Sequence, residues 1–278
     1  MIDAGAMMSS RKACLLGLFL MMAGLWPSHG LAWGDVAHRL AADEAIDALP
    51  GPLKGFYENR EVYLKQQLED TSIGAPRWTF EVDSLESFPF DDLALDRDSA
   101  IEKYGAEKIE EVGDLPWRLI ESYQGLVQAF QAMELEAIDL HSAEIVLYLN
   151  DLHQPLNVSK LGDGAITEQD GFRQRFDSRL LEIYGHELTI EAPTAIYLDR
   201  PDHYLISVLV RSFVWVDNLL LIDYFSSLGA SSYDRFYYEG LWLRAEDIVN
   251  ERISDSAKDI GSYWYTAWTE AGRPALPR

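Results

Sequence analysis

Cysteine is almost absent from this chain: one residue in 278, Cys14. Intramolecular disulfides are therefore excluded, and stability must rest on the hydrophobic core, on bound metal, or on both. Positive charge is also scarce. Lys and Arg total 23 against 46 Asp and Glu, for a net charge of −23, and no basic run concentrates them. Such a surface repels polyanions at a distance and argues against broad, charge-driven nucleic-acid binding. There is no Gly-x-Ser-x-Gly, so a serine nucleophile elbow has no support. A cysteine nucleophile has none either, because Cys14 lies in an apolar N-terminal run. No repeat, low-complexity tract or inter-domain linker occurs after residue 33.

Apolar residues are plentiful, with 48 % hydrophobic content that includes 8 Trp, 14 Tyr and 11 Phe. That is material enough for a core. The first 32 residues read as a secretory signal peptide. Arg11 and Lys12 form the basic part, Ala13 to Trp26 the apolar run, and Gly30-Leu31-Ala32 offers small residues before a cut at Trp33. The apolar run is too short to span a bilayer. The expected product is residues 33–278, secreted or periplasmic, with no transmembrane segment after cleavage.

Most segments beyond Trp33 have helical period. Val36, Leu40, Ala41 and Ala45 fall at helical spacing, and Pro50-Gly51-Pro52 closes that segment. Residues 119–140 and 142–152 predict two helices, the second stopped by Pro155. Residues 172–184 predict another, ended by Gly185. Residues 204–226 predict one long apolar helix, which Asp217 and Asp223 make too polar for a membrane span. Residues 233–253 predict a further helix, and 76–98 an extended loop. The expectation is an all-α, single-domain chain.

Two segments carry chemistry. Trp33-Gly34-Asp35-Val36-Ala37-His38 sets a histidine five residues after an expected new N-terminus. Asn150-Asp151-Leu152-His153-Gln154-Pro155-Leu156-Asn157 lies at the end of a predicted helix. Together these resemble the S1/P1 nuclease and zinc-dependent phospholipase C family, and the C-terminal segment from Tyr263 to Pro274 is similar to the end of bacterial relatives. The resemblance runs from Trp33 to the C-terminus. It implies a multi-helix phospholipase C/P1 nuclease-like fold, three zinc ions, and hydrolysis of phosphodiesters, with a small phosphodiester or a phospholipid as the ligand class.

The resemblance also implies where the ligands should be. One zinc would keep the Trp33 amine and carbonyl, His38 and Asp151. The pattern's other histidine places are Leu147, four residues before Asp151, and Asn157, which closes His-Gln-Pro-Leu-His. Gly171-Phe172-Arg173-Gln174-Arg175-Phe176-Asp177 fits a further motif with Arg173 for histidine, and Pro76-Arg77-Trp78-Thr79-Phe80-Glu81 another with Trp78 for histidine. Arginine stays protonated and cannot ligate zinc. His153 has a supporting place in the pattern; a cap on a helix C-terminus is the other reading of it. Trp33 and His38 can equally be a buried aromatic and an ordinary imidazole. Arg173 either neutralises Asp151 or Asp177 where a metal would sit, or points to solvent with Trp78 and Leu147 packing the pocket.

Zero or one zinc is expected instead of three. Hydrolysis with two or three metals needs their joint neutralisation of the phosphate. The leading expectation is thus a pseudoenzyme with activity lost or strongly reduced. An active phosphodiesterase with a reduced metal site and a metal-free periplasmic binding scaffold stay open beside it.

Overall fold

Pro50-Gly51-Pro52 separates the first two helices, for identifiable steric reasons. Proline disfavours helical backbone in the residue before it, and α1 (Gly34–Ala48) ends at an extended Leu49. Helix α2 (Gly51–Leu68) takes Pro52 into its first turn, where the missing N–H has no helical partner to lose. This computed structural model describes residues 33–70, 73, 78–230 and 232–277. The expected leader and Pro76-Arg77 lie outside the described residues. Helix α2 adds to the helices expected from the sequence: Leu53, Phe56, Tyr57 and Leu64 are buried, but interspersed charges dilute the pattern.

The loop expected over 76–98 holds in its described part up to α3 (Arg97–Tyr104), which Asp96 caps by accepting from the Ser99 N–H at 2.9 Å. Helix α4 (Ala106–Val112) comes next. Helices α5 (Leu115–Ala132) and α6 (Leu135–His153) correct one expected boundary. The break lies at Met133-Glu134, not near residue 141. Met133 turns left-handed at φ 55°, and the Glu134 N–H closes back on the Ala129 carbonyl at 3.0 Å. Glycine usually marks such a stop; here methionine hides it.

Residues 172–184 are helical as expected, but wound in three parts. Helix α7 (Phe172–Gln174) leads into a π-helical segment (Arg175–Leu180) and then α8 (Leu181–Tyr184). The single helix expected over 204–226 is two, α9 (Pro201–Phe213) and α10 (Val216–Ser227), broken at Val214-Trp215. An 18-residue window within Pro201–Ser227 has a mean hydropathy of 1.9, long and apolar enough to cross a membrane by length and composition, and 39 % of that window is buried. Helix α11 (Arg235–Glu270) runs well beyond the expected 253 and is capped by Asp234, which accepts from the Phe236 and Tyr237 N–H groups at 3.0 and 3.2 Å.

Helix makes up 72 % of the described residues, with no strand among them, so the architecture is all-α. Helix α6 lies at the centre, packed by α2, α5, α9 and α11, and α11 in turn carries α1 and α10. One hydrophobic cluster extends from Trp33 to Trp268. Tyr57 of α2 stacks on Trp264 of α11 at 4.3 Å, pinning the two helices together. The C-terminal end of α6 is consequently enclosed, and that is where Asp151 sits.

Candidate functional site

Helix α1 brings Trp33 and His38 to the end of α6. Trp33 is fully buried, with its ring 5.8 Å from that of Phe176. A side-chain carbon added at Gly34 would lie 3.8 Å from the Asp177 carbonyl oxygen, so the start of α1 abuts the π-helical segment. One turn further, His38 Nε2 lies 3.3 Å from Asp151 Oδ1, and both residues are buried. Burial raises the Asp151 carboxyl above its ordinary range, a shift that the His38 hydrogen bond offsets in part.

Asp177 joins them from the other side. Burial pushes its carboxyl well up, and the Asp151 charge adds to the push. The Arg173 cation and a hydrogen bond from the Gln154 side-chain amide oppose it. Two carboxyls sharing an enclosed site cannot both ionise cheaply without a cation between them. Arg173 is not that cation by contact. Its Nε and Nη2 donate to the Leu156 carbonyl at 3.1 and 3.0 Å, so its charge reaches Asp177 only through space. Arg173 thus acts on Asp177 by its charge without a direct ion pair, and its guanidinium is engaged by a carbonyl instead of pointing freely into solvent. Gly162 makes the arrangement possible, because a side-chain carbon there would fall 1.7 Å from the Leu156 oxygen.

The remaining motif positions surround the same end of α6. Leu147, one turn before Asp151, is 2 % exposed and belongs to the core. Asn157 donates through Nδ2 to the Asp151 carbonyl at 3.1 Å. Trp78 is half-buried, and two residues later the Phe80 N–H donates to the Asn157 carbonyl at 2.7 Å, tying that loop to the site. His153 points elsewhere. Its Nε2 lies 3.0 Å from Asp259 Oδ2 on α11, where Tyr204 and Arg211 also donate at 2.7 and 2.5 Å. Burial lowers the His153 pKa despite that carboxylate. His153 therefore ties α6 to Asp259 on α11, which Tyr204 and Arg211 of α9 hold in turn.

Several buried polar atoms here have no protein hydrogen-bond partner: Trp33 Nε1, His38 Nδ1, Asp151 Oδ2, Asn157 Oδ1 and both amide atoms of Asn150. Unsatisfied polar atoms in an enclosed space call for a ligand, a water or a cation. Among the described residues no three His, Cys, Asp or Glu side chains are grouped to hold a metal ion. The two donors that do converge, His38 and Asp151, fit one ion only when the Trp33 amine and carbonyl complete the set.

Sequence reasoning missed Gln154, Asn150 and Asp259. The first two lie inside or beside the quoted motif and could have been taken with it. Asp259 lies 106 residues from His153, and no local pattern joins them.

Comparison with known proteins found no matching family model and no matching curated protein.

Proposed function

We propose that this chain is an exported, degenerate member of the S1/P1 nuclease and phospholipase C type, with phosphodiester hydrolysis lost or strongly reduced. In this reading a single zinc ion is held by the Trp33 amine and carbonyl, His38 and Asp151. The observation that carries the proposal is the buried His38–Asp151 pair, while Leu147, Asn157, Arg173 and Trp78, the other motif positions, offer no zinc-binding histidine. A zinc ion there would supply Lewis acidity and lower the pKa of a bound water. The chain's own contribution is the enclosure: Trp33 and Phe176 exclude bulk water, Gln154 orients the Asp177 carboxyl, and Arg173 adds positive charge beside it. A small phosphodiester or phospholipid headgroup is the ligand class that suits such a site.

The direct His38–Asp151 hydrogen bond favours a second reading, in which the pair closes on itself and the chain is a metal-free binding scaffold. Elemental analysis of protein matured through the export pathway separates the two. About one zinc per chain, lost in His38→Ala, supports the degenerate single-metal site. No zinc supports the metal-free scaffold. Three zincs per chain would overturn both readings and call for nuclease and phospholipase assays.

A further inference from the structure

Away from the α1–α6 site, the π-helical segment faces a second feature. A cavity of about 700 Å³ lies between it, α8 and the start of α11, a volume within the range of small-molecule sites. Three arginines line it (Arg175, Arg179 and Arg235) together with Tyr184, Tyr233 and Tyr238. Glu182 and Asp234 are the acidic side chains of its lining, and Asp223 and Glu239 pair with Arg175 and Arg235, so each arginine has a carboxylate beside it. What the cavity offers a small anion is two exposed guanidinium forks held in exchangeable ion pairs.

The three arginines are held differently. Arg175 is a fixed anchor. Its Nε and Nη2 meet Tyr237 and Asp223 at 3.1 and 3.3 Å, Nη1 donates to the Asp170 carbonyl at 2.6 Å, and Tyr233 covers its guanidinium at 3.8 Å. Arg179 and Arg235 are exposed, and each pairs within its own helical segment, with Glu182 at 2.8 Å and Glu239 at 2.6 Å. Exposed pairs at that spacing contribute only a few tenths of a kcal/mol. They yield readily to a doubly charged oxyanion that both guanidinium forks can grip. Tyr184 is held against Trp242 in a nearly parallel stack, with 5° between the planes, so its position is set before any ligand arrives. The π-helical winding carries Arg175 and Arg179 to this cavity while Asp177 is held by Gln154 in the buried site. Winding of this kind recurs at functional positions.

We infer that this cavity is a second ligand site that takes a small aromatic phosphomonoester or phosphonate, the oxyanion gripped by Arg179 and Arg235 and the ring lying against the tyrosines. The site does not depend on the metal reading, because none of its lining residues belongs to the His38–Asp151 cluster.

Isothermal titration of the exported protein with phenylphosphonate tests the inference, with methylphosphonate as the ringless probe. Phenylphosphonate should bind, and methylphosphonate should bind more weakly. The Arg179→Gln/Arg235→Gln double variant changes only exposed side chains and should weaken phenylphosphonate by about tenfold or more, as the loss of charge-assisted hydrogen bonds predicts. Arg39→Gln, on the exposed side of α1, should leave affinity unchanged. No binding at millimolar phenylphosphonate overturns the site, and so does equal affinity in the double variant. Equal binding of the two probes overturns the aromatic part of the assignment.

Discussion

Replacing Asp223 with Ala tests the electrostatic tie that joins α10 to the π-helical segment. Asp223 is 2 % exposed and accepts from the Tyr237 hydroxyl, from Gln169 Nε2 at 2.7 Å and from Arg175 Nη2 at 3.3 Å. Arg175 is itself 8 % exposed, so deleting the carboxylate strands a guanidinium in a poorly solvated place. Breaking a buried pair from one side costs about 3–5 kcal/mol. Arg175 keeps its bonds to the Asp170 and Gln169 carbonyls and to Tyr237, with Tyr233 over its face. That remaining solvation places the expected loss at the lower end, about 3 kcal/mol. Urea unfolding should show the midpoint fall with an unchanged slope. Removing both charges in Arg175→Met/Asp223→Leu should return stability to within about 1 kcal/mol of the parent. A loss below about 1 kcal/mol in Asp223→Ala would refute the reasoning, as would additivity of the single Arg175→Met and Asp223→Leu changes in the double variant.

Asp177→Asn should flatten the pH dependence of stability measured with a chelator present. Burial raises the Asp177 carboxyl well above 3.8, so the folded chain keeps a proton that the unfolded chain releases. The associated stability is complete below the ordinary pKa and is lost as pH rises through the folded value. The parent's unfolding midpoint should therefore fall more steeply than the variant's as pH rises above the ordinary carboxylate value of 3.8, and parallel curves would contradict the burial argument. Arg173→Met removes both hydrogen bonds to the Leu156 carbonyl and the nearby cation that favours ionised Asp177. It should lose about 1–2 kcal/mol in chemical denaturation, and unchanged stability would remove the role assigned to Arg173.

Legibility in the sequence tracked the range of the interaction. Positions 36, 40, 41 and 45 announced α1, and Pro50-Gly51-Pro52 its end, because helical period and proline sterics act within a few residues. The α5–α6 break and the α9–α10 break were misread for the same reason in reverse: Met133 and Val214-Trp215 carry no stop signal of their own. In the candidate site, Trp33, His38, Asp151 and Asp177 were singled out through the short motifs that carry the family resemblance, and the fold brings all four to one end of α6. Arg173 was singled out, but its hydrogen-bond partner was not legible, because the carbonyl that holds it belongs to a segment 17 residues away.

What the sequence alone determined was composition-bound and local: an acidic chain with a single cysteine, helical in most segments, with Leu147 and Arg173 rather than histidines four residues before Asp151 and Asp177. Tertiary structure decided which of those groups meet and which lose water. Asp151 and Asp177 are 26 residues apart, and their raised pKa values come from enclosure among α1, α6 and the π-helical segment. His153 meets Asp259 only because α11 returns across α6. Arg175, Arg179 and Arg235 converge only because the π-helical segment packs beside the start of α11. Desolvation and long-range charge pairing depend on the packed neighbours of a group, which its sequence neighbours do not specify.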